Sequence, residues 1–118
     1  MILELTDTNY SEIVSSTDKA IFIDFYSPTC GPCQEILPLL NNLDAYFKDE
    51  VIIAKVNVTK NSKLAAKYEI SSVPFCVSIG AKDKMVKEVE LGVKSINRYI
   101  KMIEKAQGKG FFSKLFGK

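Results

Sequence analysis

Apolar residues cluster in short runs along the chain, and these runs predict the strands of a sheet. Continuous apolar stretches lie at three places: 20–26, 51–58 and 74–79. The first of them carries a single charge, so both of its faces are expected to be buried. Residues 85–91 alternate between apolar and charged side chains, which is typical of a half-exposed strand. The turn at 80–83 would pair it antiparallel with its neighbour, and residues 3–5 are a candidate first edge strand.

Between the strands, apolar residues recur every three or four positions, which predicts helices. The longest such segment runs from Pro32 to Phe47. Pro38 inside it is expected to kink the helix, because proline lacks a backbone N–H. Three further helices are predicted behind polar capping residues: Thr8 or Asn9, Asn61 or Ser62, and Ser95. The order β-α-β-α-β-α-β-β-α predicts a three-layer α/β sandwich around a mixed sheet.

The composition fits one globular domain followed by a short tail. The chain has 118 residues, of which 47% are hydrophobic, and this is enough for a single core. We assign residues 1–107 to the domain and 108–118 to the tail, because a Gly-Lys-Gly sequence interrupts the last helix. The net charge is +2, but the tail holds three lysines and no acidic residue. The body therefore carries no basic excess, and no nucleic-acid partner is predicted.

The tail also combines aromatic and basic side chains, with three phenylalanines and three lysines among its last ten residues. Such a segment can make a weak contact with a membrane surface or with a partner protein. The plainer interpretation is that its aromatic residues fold back on the domain or that the segment frays. The sequence leaves both alternatives open.

Cysteine usage and the N-terminus bear on the compartment. Three is an odd number of cysteines, which excludes a full disulfide framework of the kind that braces small secreted domains. The first residues lack the basic and apolar regions of a signal peptide, and no apolar run approaches the roughly 20 residues that span a bilayer. A cytoplasmic location is the resulting expectation. A monomer is expected separately, because nothing in the sequence demands a higher oligomer.

Two of the cysteines form the motif Cys30-Gly31-Pro32-Cys33, which opens the long predicted helix. A thiol at a helix N-terminus is stabilised as a thiolate by the unpaired N–H groups and the helix dipole. Two intervening residues allow the sulfurs to join and separate, which points to redox chemistry. The alternative is half of a zinc site, but zinc usually takes four ligands and the chain supplies one further cysteine, Cys76.

These residues resemble the thioredoxin family over about residues 3 to 106. The resemblance rests on the dithiol motif and on correctly spaced companions: Asp24, Pro38, Lys55, Pro74 and Gly92. It implies a thioredoxin fold and a protein disulfide reductase that needs no metal and no cofactor beyond the redox-active Cys30–Cys33 disulfide. It also implies disulfide-containing protein substrates and a separate electron donor of the thioredoxin-reductase type. The chain has no dinucleotide-binding glycine motif, so electrons would arrive by contact with a protein or from a small thiol.

The resemblance further implies a role for each residue near the dithiol. Cys30 would attack a substrate disulfide, and Cys33 would resolve the mixed disulfide. Asp24 would help to deprotonate Cys33 through water, with Lys55 beside the carboxylate. The alternatives from the strand sequence alone are that Asp24 faces solvent at a strand end or forms a plain buried ion pair with Lys55.

A second group of residues would bind the substrate. Pro74 is expected to be cis, so that Val73 presents its backbone N–H and C=O to an extended substrate strand. Gly92 would line the same groove, although it could also be a simple turn glycine. The other predicted substrate-binding residues surround the dithiol: Thr29, Gly31 and Pro32.

Three positions around the dithiol depart from the usual pattern of the family. Thr29 replaces a tryptophan, Gln34 a lysine and Phe75 a threonine, so the redox potential and the choice of partner are the properties affected. Phe75 is either a core residue or a hydrophobic substrate contact, and Cys76 is expected to be a buried packing residue. Two other functions stay open: a more oxidising oxidase or isomerase, and a thioredoxin-like binding module whose dithiol is dispensable.

Overall fold

The computed structural model describes residues 1–109 and contains every predicted strand and helix, with bounds that differ from the predicted ones by about one residue. In chain order the elements are β1 (Ile2–Glu4), α1 (Tyr10–Ser16), β2 (Ala20–Tyr26), α2 (Gly31–Phe47), β3 (Val51–Asn57), α3 (Ser62–Lys67), β4 (Phe75–Ile79), β5 (Val86–Leu91) and α4 (Ile96–Gln107). Helix α2 continues through Pro38. The predicted α/β class and element order are confirmed.

The five strands form one mixed sheet in the order β1-β3-β2-β4-β5. Strand β3 pairs parallel with β1 and β2, whereas β4 pairs antiparallel with β2 and β5. Strand β2 therefore has a neighbour on each side, and its residues 20–25 are buried as its apolar sequence predicts. The dithiol follows directly after this central strand.

Side chains of β2 alternate between two cores, one on each face of the sheet. The first core brings Phe22 together with buried residues of α2 and α4: Ile36, Leu40, Leu43, Tyr99, Met102 and Ile103. The second core joins neighbouring β2 residues to the other two helices and includes Ile21, Ile23, Phe25, Leu64, Tyr10 and Ile13. The sheet thus lies between two helical layers, as the three-layer prediction requires.

The helix caps agree with the sequence only in part. The Ser95 hydroxyl accepts the N–H of Arg98 at the start of α4, as predicted. Asn9 occupies the N-cap position of α1, but its side-chain oxygen accepts the N–H of Thr6 at 2.8 Å instead of a helical N–H. This bond fixes the turn that leads into the helix.

Helix α3 is capped by a distant residue. Asn61 occupies its N-cap position but makes no side-chain capping bond. Instead, the Asp7 carboxylate accepts the N–H of Leu64 at 2.9 Å and of Lys63 at 3.2 Å. The Asn61 side chain is engaged elsewhere, since its oxygen accepts the N–H of Asp7 and its amide donates to Asn57. A carboxylate also suits the positive end of the helix dipole.

Replacing Asp7 by alanine should therefore destabilise the protein, although Asp7 lies outside α3. We expect a loss of about 1 kcal/mol in the free energy of unfolding, as for other helix caps. Urea unfolding of Asp7→Ala measures this loss of stability. Asp7→Asn is the matched control, because its amide keeps one oxygen that can accept a hydrogen bond. Equal losses in both variants would contradict the capping role.

Helix α4 ends at Gln107, and Gly108 follows with φ 81°, a left-handed conformation that glycine adopts easily. The prediction for a basic, aromatic tail concerns residues that, from Gly110 onward, lie outside the described part of the chain. Within residues 1–109, no helix has the length and apolar character needed to cross a bilayer.

Candidate active site

The dithiol lies where β2 ends and α2 begins. Cys30 is the N-cap residue of α2, and its Sγ accepts the N–H of Cys33 at 3.2 Å. The two sulfurs are joined in a disulfide. Cys30 is part-exposed, whereas Cys33 is 1% exposed. The helix N-terminus and its free N–H groups thus favour negative charge on Cys30 sulfur once the disulfide is reduced.

One loop from a distant part of the chain contacts the dithiol, and a second loop contacts the first. The Cys30 Sγ lies 3.8 Å from the carbonyl oxygen of Val73. The Val73–Pro74 peptide bond is cis, as predicted. The N–H of Gly92 donates to the Pro74 carbonyl at 2.8 Å. The structure therefore brings Cys30, Val73, Pro74 and Gly92 together, although the sequence separates them by up to about 60 residues.

Gly92 has a backbone reason to be glycine. Its φ of 84° lies in the left-handed region, where side chains with a Cβ are strained. A Cβ at this position would meet no atom within 4 Å. The left-handed backbone conformation therefore accounts for glycine at position 92. Steric crowding by other residues of the chain does not.

The rim around Cys30 is formed by small and exposed residues. Thr29, Gly31 and Pro32 are all exposed, and the Thr29 hydroxyl bonds to Ser27 at 3.2 Å. Pro32 lies in the first turn of α2, where its missing N–H removes no helical bond. Phe75, left undecided by the sequence, packs half-buried against the core on the α1 and α3 face.

Asp24 is a buried carboxyl group in the middle of the sheet. It is 0% exposed, and its Oδ2 atom has no hydrogen-bond partner among the described residues. Burial raises the pKa of Asp24 from its ordinary 3.8 to about 7, and the Cys76 thiol and Lys55 oppose the rise. The alternative of a solvent-facing Asp24 is thereby wrong.

Lys55 is opposite Asp24 in the sheet register but makes its ion pair elsewhere. Its Nζ lies 3.8 Å from Glu4 Oε1 and 5.5 Å from the centre of the Tyr26 ring. Tyr26 itself donates to Glu4 at 3.0 Å. The alternative of a plain Asp24–Lys55 ion pair is therefore not what the structure shows, and Lys55 acts on Asp24 through its charge alone.

Two residues of this environment were missed from the sequence. Glu4 attracts the Lys55 amine, and Cys76 places its Sγ 3.9 Å from Asp24 Oδ1. Cys76 is buried as expected, but its polar contact was not anticipated. Both contacts follow from the strand register, which pairs Glu4 with Lys55 and Asp24 with Cys76. Element prediction alone does not supply that register.

Comparison with known proteins agrees with this geometry. The family model described as Thioredoxin matches residues 1–105. The chain belongs to the thioredoxin family.

Individual members of the family support the same assignment. The chain is 38% identical over 86 residues to a thioredoxin of Chlorobaculum thiosulfatiphilum, which covers 70% of this chain and 80% of that protein. It is 34% identical over 93 residues to a thioredoxin of Bacillus subtilis, covering 79% and 86%. A crystal structure of reduced Schistosoma mansoni thioredoxin pre-protein superposes with a TM-score of 0.77 at 31% identity, covering 88% of this chain and 96% of the other.

This member of the family is a thiol–disulfide oxidoreductase of the disulfide-reductase type. Its chemistry is the exchange of a Cys30–Cys33 dithiol with a disulfide. In residues 1–109, no three Cys, Asp or Glu side chains are grouped so that they could hold a metal ion.

Proposed function

We propose that Cys30 is the attacking thiol and that the protein reduces disulfides of other proteins in the cytoplasm. The observation that carries the proposal is the position of Cys30, part-exposed at the start of α2 with the Cys33 N–H directed at its sulfur. The Cys30 thiolate attacks one sulfur of the substrate, and the other leaves as a thiolate. Cys33 then attacks Cys30 Sγ, which releases the second substrate thiolate and closes the Cys30–Cys33 disulfide.

Cys33 needs a proton acceptor before it can attack, because its sulfur is buried. We assign this role to Asp24, acting through water. A carboxyl group whose pKa is about 7 can accept a proton at neutral pH and release it again. Lys55 supports the role indirectly, since its positive charge favours the carboxylate over the protonated acid.

Substrate would bind as an extended strand beside Val73 and Pro74. The Val73 carbonyl already faces the Cys30 sulfur, and backbone pairing with a substrate strand recognises no particular side chain. The Gly92 loop would form the second wall of the groove, because it is bonded to Pro74. The exposed rim residues would contact the flanking parts of the substrate: Thr29, Gly31 and Pro32.

Electrons would come from a separate donor of the thioredoxin-reductase type, and the protein would act as a monomer. The donor class is supported by family membership. Sedimentation of the purified protein tests the monomer. The division between a domain at 1–107 and a tail at 108–118 stays a prediction.

The reduction potential of the Cys30–Cys33 couple tests the reductase against an oxidase or isomerase. We expect about −270 mV, the value given for thioredoxin. The protein is equilibrated with glutathione buffers, unfolded and labelled with a thiol reagent. Cys76 takes up label in both forms, so the labelled thiols should rise from one to three on reduction. A potential above about −200 mV would instead support the more oxidising function.

A further inference from the structure

Five charged or polar residues, one from each strand, form a row across the sheet. The register pairs Glu4 with Lys55, Lys55 with Asp24, Asp24 with Cys76, and Cys76 with Glu90. Side chains paired across a sheet lie on the same face, so this polar row faces the layer of α2 and α4. Asp24 is at its centre, and Cys76 belongs to the core that these two helices cover.

Cys76 and Asp24 are in direct contact inside this row. The Cys76 Sγ lies 3.9 Å from Asp24 Oδ1, and both residues are 0% exposed. A thiol is a weak donor, and an ionised carboxylate accepts only. With Asp24 Oδ2 unpaired in the described part of the chain, the Cys76 thiol is the side-chain donor that Asp24 has there.

Tyr99 packs in the same core as Cys76. Its side chain is 0% exposed. Its hydroxyl accepts the N–H of Lys94 at 2.8 Å and donates to the Gly92 carbonyl at 3.4 Å. The Tyr99 hydroxyl therefore has backbone partners of its own, and the Cys76 thiol is the donor of this core that reaches Asp24.

We propose that Cys76 is a positioning residue that sets the proton affinity of Asp24. The thiol stabilises the carboxylate form by donating to it, which counteracts the effect of burial. The inference rests on the proton-transfer role proposed for Asp24. It goes beyond that role because Cys76 takes no part in thiol exchange.

On the β1 and β3 side, Lys55 is the charged group that faces Asp24. Its positive charge also favours the carboxylate. However, its amine lies toward Glu4 at 3.8 Å and toward the ring of Tyr26. Lys55 therefore contributes a charge at a distance and cannot replace a hydrogen bond from the thiol.

On the β5 and α4 side, the nearest charge in the row is Glu90. Its carboxylate accepts from Arg98 Nε at 2.6 Å, so its charge is largely balanced. Helix α2 contributes Cys33, which is the one titratable group among the buried residues of that helix. In the oxidised protein Cys33 is bonded to Cys30 and does not titrate. The oxidised form thus isolates the effect of Cys76 on Asp24.

Two substitutions on either side of cysteine in size separate the donor from the packing. Cys76→Val removes the donor, and Cys76→Ser keeps one. The Asp24 carboxyl is titrated by carbon NMR in the oxidised protein. We expect Cys76→Val to raise the titration midpoint by about 0.5 pH units or more, and Cys76→Ser to leave it unchanged or lower it.

Circular dichroism and thermal unfolding serve as the folding control for both variants. Equal midpoints in Cys76→Val and Cys76→Ser would overturn the inference, as would a lower midpoint in Cys76→Val. The pH profile of insulin reduction, measured in parallel, tests the role of Asp24 separately. A shifted Asp24 titration with an unchanged rate profile would support the inference about Cys76 and overturn the proton-transfer role given to Asp24.

Discussion

Replacing Cys30 by serine is expected to lower the rate of insulin disulfide reduction by at least about 1,000-fold. A serine hydroxyl stays protonated at neutral pH and is a poor nucleophile toward sulfur, whereas the thiolate at the start of α2 is stabilised by the Cys33 N–H. The rate is measured as insulin precipitation with dithiothreitol as the electron source. Circular dichroism of the variant confirms that the fold is intact.

The matched variant Cys33→Ser distinguishes the two sulfurs. It should retain the first attack but lack the second, so that a mixed disulfide between Cys30 and the substrate accumulates. Mass spectrometry under non-reducing conditions detects this adduct. An adduct formed by Cys30→Ser through Cys33 would show that the attacking thiol has been assigned to the wrong residue.

The trapped adduct also maps the groove. A disulfide-linked peptide beside Val73 should protect the backbone around Cys30, Val73 and Gly92 from hydrogen exchange, because these segments meet in the structure. Protection confined to another surface would contradict the proposed substrate site.

Replacing Asp24 by asparagine is expected to stabilise the oxidised protein by up to about 4 kcal/mol at alkaline pH. The folded state holds the Asp24 proton up to about pH 7, whereas an unfolded chain releases it near the ordinary value of 3.8. This difference between the folded and unfolded pKa values of Asp24 corresponds to about 4 kcal/mol in the free energy of unfolding. The folded state binds the extra proton, so the parent loses stability as the pH rises from about 4 to about 7. Above about pH 7 the loss is complete.

Guanidinium unfolding of Asp24→Asn and the parent at about pH 4 and about pH 8 measures this effect. The gain in the free energy of unfolding should be small at about pH 4, where the folded parent holds Asp24 protonated and uncharged. It should be near its maximum at about pH 8, because the parent then carries a buried charge and asparagine does not. Asp18→Asn is the control, since Asp18 is an exposed carboxylate in the turn before β2. A gain that is equal at both pH values would assign the effect to packing and not to the buried charge.

The sequence predicted this architecture well because its signals are local. An almost uncharged run at 20–26 has to be a buried central strand, and a dithiol followed by apolar residues every three or four positions has to open a helix. The burial of Cys33 follows from its place one turn inside α2. The positions of Asp24 and Pro74 relative to Cys30 came from the family resemblance, which supplies the tertiary arrangement that periodicity lacks.

The features that were missed depend on pairing between distant segments. Lys55 is flanked by two carboxylates in the sheet, and only the geometry of β1 shows that its amine lies toward Glu4. The contact between Cys76 and Asp24 requires the antiparallel register of β2 and β4. A sequence pattern identifies each strand but does not specify which residue of one strand lies opposite which residue of another.

The Asp7 cap has a consequence for how the polypeptide can be divided. A fragment that starts after Asp7 keeps every residue of α3, yet it loses the two bonds from the carboxylate that begin that helix. During synthesis, Asp7 is made before α3. The helix can therefore be capped before β4 and β5 have been synthesised. The N-terminal segment and α3 therefore stabilise each other although they are distant in sequence. Removing residues at the N-terminus would destabilise a helix in the middle of the chain.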